Sequence, residues 1–101
     1  MIYINSNLAI NFRYFSVENP EGLIIGHPRF TTAIAPTRVT ECELVEIDGR
    51  DIVNVISKGA SYCHPNDNFN KDLGRKRSLA RAIKDLSRTE RKVIWEAYFN
   101  R

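Results

Sequence analysis

The chain has 101 residues, 43% of them hydrophobic and 27% charged, which fits one globular domain and excludes a disordered chain or a second core. No apolar run approaches the roughly 20 residues that span a bilayer, and residues 1–15 lack the pattern of a secretory leader. A cytoplasmic protein with no membrane partner is expected. The net charge of +3 is uneven: residues 1–70 hold five basic and eight acidic side chains, residues 71–101 ten and four. A −3 stretch followed by a +6 stretch points to a localised anion site rather than a uniformly basic surface.

In chain order, residues 2–15 read as one or two strands broken at Asn5–Asn7. Asn19-Pro20-Glu21-Gly22 is a turn signal, and Leu23–Ile25 and Phe30–Ala35 are short apolar runs that predict brief strands. Arg38–Ile47 alternates and is rich in β-branched residues, and Asp48-Gly49 predicts a type I′ hairpin turn. The returning strand runs over Ile52–Ile56 and extends to Cys63, with Gly59 marking a bulge or a close approach.

His64–Asn68 then has loop composition, and Asp67 or Asn68 offers a helix cap. A helix is predicted from about Phe69 to Leu86, with Leu73, Ala80, Ile83 and Leu86 near one stripe and Leu79 and Ala82 beside it. Gly74 within it costs about 1 kcal/mol relative to Ala, so something must pack or bind closely there. Ser87-Arg88-Thr89-Glu90 has the form of a capping box and starts a second helix over Thr89–Phe99. Strands followed by a helical hairpin predict a single α+β domain, an antiparallel sheet with both helices on one face.

Catalysis is not expected. The two histidines, His27 and His64, each sit beside a proline, and no nucleophile elbow, Walker loop, dinucleotide fingerprint or His-Glu-x-x-His occurs. Cys42 and Cys63 match neither zinc nor redox spacing, and read as two reduced thiols. Neither a metal nor a cofactor is called for.

The segment that carries chemistry is 62–81, where a polar loop runs into a helix N-terminus that favours anions. Lys71, Arg75 and Ser78 recur at helical spacing on one face, and Arg77, Arg81 and Lys84 on a neighbouring one. Tyr62 or Phe69 is available to stack on a base, and Asp67 and Asn68 to bond ribose hydroxyls. The ligand set is therefore Tyr62, Asp67, Asn68, Phe69, Lys71, Arg75, Arg77 and Arg81. The plainer alternative is a solvated basic face with Phe69 in the core. A helix-turn-helix reader is disfavoured, because the second helix spends Val93, Ile94, Trp95, Tyr98 and Phe99 on apolar contacts.

Cys63-His64-Pro65-Asn66-Asp67-Asn68-Phe69-Asn70-Lys71, then Gly74-Arg75, then Ser78-Leu79-Ala80-Arg81-Ala82, resembles a signature of small phage-encoded proteins. It is similar to that of the Thoeris anti-defence type 1 family, which sequesters cyclic ADP-ribose isomers made by TIR-domain immune enzymes. The likeness covers residues 59–84. It implies a homo-oligomeric, non-enzymatic sponge in the host cytoplasm that buries a cyclic nucleotide second messenger where subunits meet. Two alternatives stay open: a small phage inhibitor of a host defence protein, in the manner of anti-CRISPR proteins, and a nucleic-acid-binding protein.

Overall fold

The computed structural model describes residues 1–17, 37–63 and 70–101. The β-branched and aromatic stretches form strands β1 (Ile2–Tyr3), β2 (Leu8–Val17), β3 (Thr37–Asp48) and β4 (Asp51–Cys63). They make one antiparallel sheet in the order β1-β2-β3-β4. Two helices follow, α1 (Lys71–Ala82) and α2 (Arg88–Phe99). The α+β architecture expected from the sequence is the one observed. The 19–22 turn, the runs at 23–25 and 30–35, and the loop at 64–68 lie outside the described residues.

Local chemistry sets the connections. Between β1 and β2, Asn5 Oδ1 accepts a bond from the Asn7 amide at 2.8 Å, a side chain standing in for a backbone turn. At the β3–β4 hairpin Asp48 pairs with Asp51, so the loop is Gly49-Arg50. Only Gly49 has a positive φ, +63°. A glycine at the first central position alone is the type II′ requirement, which corrects the expected type I′ turn at Asp48-Gly49.

One face of the sheet carries the main core. Ile10, Cys42 and Leu44 pack against Leu79, Ala82 and Ile83 of the α1 end and Ile94 and Tyr98 of α2. A smaller buried group, Ala9, Val45 and Ile47, forms a separate cluster. Burial pushes the Cys42 thiol up to about 12, which leaves it protonated and un-nucleophilic near neutrality. Neither thiol is in a disulfide, and Cys63 is half-buried.

Helix α1 is shorter than its apolar pattern suggests. Asn70, not Asp67 or Asn68, caps it, accepting from the Leu73 amide at 3.1 Å. It ends at Ala82, with Ile83 as its C-cap, and not at Leu86. Its sheet-facing side is also different. Gly74, Ser78, Leu79 and Ala82 are buried while Leu73 and Ala80 are exposed. The reason is proximity to the sheet. A Cβ on Gly74 would lie 2.6 Å from Thr40 Oγ1, and one on Gly59 would lie 2.8 Å from the Arg81 carbonyl carbon and closer still to Ala82 N and Ser78 O. Gly59 lets the helix and sheet backbones meet, and Gly74 makes room for the Thr40 side chain, so Gly59 marks a close approach.

Helix α2 starts with the complete capping box. Ser87 Oγ accepts from the Glu90 amide at 3.2 Å, and Glu90 Oε1 accepts from the Ser87 amide at 3.3 Å. Ser87→Ala is expected to cost about 1 kcal/mol, read as a lower urea midpoint at unchanged slope. An unchanged midpoint would show that packing alone holds this helix.

Candidate anion-binding site

The first turns of α1 and the end of α2 meet over β2. Asp72, in the first turn of α1 where a carboxylate suits the helix N-terminus, is the centre of the contact. Lys76 Nζ lies 2.9 Å from one of its oxygens, Arg75 3.8 Å and Arg101 4.0 Å from the other. The Tyr98 hydroxyl donates to that second oxygen at 3.0 Å.

Tyr98 is fully buried and fixes the geometry. Arg75 Nε donates to its hydroxyl at 3.4 Å. The Arg101 guanidinium lies 4.0 Å from its ring centroid, a cation–π distance. On the β2 side, Lys71 Nζ sits 4.4 Å from the ring centroid of the exposed Tyr14.

Hydrogen bonding by Lys76 first, and by Tyr98 second, holds the Asp72 carboxyl below its usual value of 3.8. A lowered folded value contributes stability that is present above the ordinary value and lost as pH falls through the folded one. The Tyr14 and Tyr98 hydroxyls push the Arg75 guanidinium further up, so it stays charged. Three cationic side chains thus gather within 4.0 Å of one side-chain carboxylate. The pairs are solvent-exposed, so water and salt screen them.

The structure brings together only part of the expected ligand set. Lys71 and Arg75 belong to the cluster. Arg77 is exposed and is not among the side chains paired with Asp72. Arg81 donates to the Ala60 carbonyl on β4 instead. Tyr62 pairs with Val39 while Ser61 pairs with the Thr40 that meets Gly74; strand alternation therefore puts Tyr62 on the sheet face away from α1. Asp67, Asn68 and Phe69 lie outside the described residues. Ser78 does not share a face with Lys71 and Arg75 toward solvent: it is buried, and its hydroxyl donates to the Arg75 carbonyl at 3.0 Å. The space beside Gly74 is filled by Thr40.

Sequence reasoning missed Tyr14, Asp72, Lys76, Tyr98 and Arg101. The i,i+3 and i,i+4 spacing of Asp72 to Arg75 and Lys76 was readable as an ion-pair pattern. Nothing local announced Tyr14 or Arg101. Among the described residues no group of three or more His, Cys, Asp or Glu side chains is placed to hold a metal, and no helix is long and apolar enough to cross a membrane.

Compared with models of known protein families, with curated proteins and with solved structures, the chain matches none. Fold and site together define a small α+β protein with a basic and aromatic cluster where α1 and α2 converge.

Proposed function

We propose that this protein binds an anionic nucleotide at the Asp72 cluster and acts by capture, without turnover. The observation that carries the reading is the excess of cations around Asp72 beside an exposed aromatic ring. A pyrophosphate would compete with Asp72 for Lys76, 2.9 Å from it, and for Arg75 and Arg101, at 3.8 and 4.0 Å, and can draw charge-assisted hydrogen bonds from all three. Tyr14, relieved of Lys71, offers a face for a base. The likeness to the Thoeris anti-defence type 1 signature supports a cyclic ADP-ribose isomer as the ligand, and a phage-encoded homo-oligomeric sponge in the host cytoplasm as the setting.

A thermal-shift panel of ADP-ribose, cyclic ADP-ribose isomers, cyclic dinucleotides and NAD tests this. Ligand at about 100 times its dissociation constant adds roughly 2.7 kcal/mol, a rise on the order of 10 °C for a domain this small. Arg75→Ala is expected to abolish the shift with an unchanged circular dichroism spectrum, whereas Arg77→Ala leaves it intact. A flat panel for the wild type removes the nucleotide reading. Loss in Arg77→Ala but not Arg75→Ala moves the ligand to the other flank of α1.

A further inference from the structure

Helix α2 packs on the core through Ile94 and Tyr98, and an adjoining stripe of it faces outward. Arg88, Lys92, Trp95 and Phe99 recur at i, i+4, i+7 and i+11, within about 60° of one another around the helix and over about 16 Å of its length. Arg91 stands beside them, one turn from both Arg88 and Trp95. The three cations are exposed, and among the described residues none lies within ion-pair distance of a carboxylate. Glu90 is held in the capping box, and Glu96 borders the stripe one turn beyond Lys92 without pairing with it. The aromatic end of the stripe is braced from behind. Trp95 is half-buried against the core and stacks on Phe99 at 5.7 Å and 22°. Phe99 nevertheless stays 60% exposed, so most of the ring is open to solvent. Lys76 of α1 adds a further cation, its Nζ 5.8 Å from the ring centroid.

We infer that this stripe binds single-stranded nucleic acid, with an unpaired base stacked on Phe99 and backbone phosphates on Arg88, Arg91 and Lys92. A braced aromatic face in line with unpaired cations meets the two features every nucleic-acid strand repeats, a π-face and a phosphate. The stripe is long enough for several phosphates of one strand. A duplex has the charge but keeps its base faces stacked on one another, so the ring selects the single strand. Stacking and charge carry no base-edge readout, so the binding is tolerant of sequence. The inference stands apart from the nucleotide reading, which rests on Arg75, Lys76, Arg101 and Tyr14. Only Lys76 lies next to both, and the test leaves it unchanged.

Fluorescence anisotropy of the full chain with a labelled oligothymidylate of about twelve nucleotides, a length within the usual site sizes, is the test. The wild type is expected to bind with a logarithmic salt slope of about −2, from three phosphate contacts at roughly 0.7 each. Arg88→Ala and Lys92→Ala should each reduce that slope by about 0.7. Phe99→Ala should weaken binding roughly tenfold, with an unchanged circular dichroism spectrum, and leave binding to a duplex of the same length as it was. The two charge variants keep the test open if Phe99→Ala fails to fold. Any nucleotide-induced thermal shift should survive Arg88→Ala and Lys92→Ala, which separates this stripe from the Asp72 cluster. A wild type that does not bind the single strand overturns the inference. So does binding that ignores both charge variants, because the strand then lies elsewhere. Binding that responds to charge while a folded Phe99→Ala matches the wild type overturns it too, since α2 is then only a polyanion contact.

Discussion

Gly59→Ala is expected to be the most damaging single methyl in this protein. The added carbon would point from β4 into the backbone of α1, facing Ala82 N, Ser78 O and the Arg81 carbonyl carbon. Backbone cannot rotate away as a side chain can, so helix and sheet must separate. That separation loosens Leu79, Ala82 and Ile83 against Cys42 and Leu44. Overpacking costs typically 1–3 kcal/mol and occasionally more, and the backbone contacts place this case at about 3 kcal/mol or above. For a domain of this size the melting temperature should fall by roughly 12 °C or more. Gly74→Ala provides the contrast. Its new carbon meets the Thr40 side chain, and alanine returns about 1 kcal/mol of helix propensity, so its loss should be much smaller. Thermal unfolding of the pair decides it. Near-equal melting points would show that α1 does not sit on β4 as described.

Tyr98 is the second position where a large effect is expected, and two substitutions separate its two roles. Its ring lies at the centre of the helical hairpin, in edge contact with Phe12 at 6.1 Å, Trp95 at 5.9 Å and Phe99 at 5.3 Å. Tyr98→Ala removes that packing and should cost about 3–5 kcal/mol, in line with other large aromatic truncations. Tyr98→Phe keeps the ring but removes the hydroxyl that bonds Asp72 and receives Arg75. Its stability loss should be only about 1–2 kcal/mol. The consequence for binding should be larger than that for folding, because Arg75 loses the group that aims it. Urea unfolding and calorimetry with the ligand found in the thermal screen read the two effects separately. If Tyr98→Phe binds like the wild type, the hydroxyl does not orient the site.

The two positions share a feature: neither acts through its immediate sequence neighbours. Gly59 matters because α1 crosses it, and Tyr98 because α1 brings Asp72 and Arg75 to its hydroxyl. The contribution of Trp95 is clearer for the same reason. It is half-buried against the core and stacked on Phe99 at 5.7 Å, which gives it the packing role expected of an apolar residue of this helix.

What the sequence by itself determined is whatever closes within a few residues. The β3–β4 hairpin follows from alternation around Asp48-Gly49, although the turn type depended on the register of Asp48 with Asp51. The Ser87–Glu90 capping box involves groups three residues apart and was readable as written. So were the order of the described strands and helices, and the concentration of positive charge after residue 70. Tertiary structure decided which side of α1 is inside. Leucine spacing suggested a stripe through Leu73, but the close approach of the β4 backbone at Gly59 and of the Thr40 side chain favoured the small residues Gly74, Ser78 and Ala82. It also decided the site. Arg75 and Arg81 lie on neighbouring faces of one basic helix and both read as ligand residues, yet Arg81 is drawn to a β4 carbonyl while Arg75 joins Tyr14, Tyr98 and Arg101. Tyr14 and Lys71 are separated by more than half the chain, and only sheet pairing with helix docking brings them together. Contacts of that length leave no local pattern, because their stability comes from apolar surface that is buried only once the whole domain has closed.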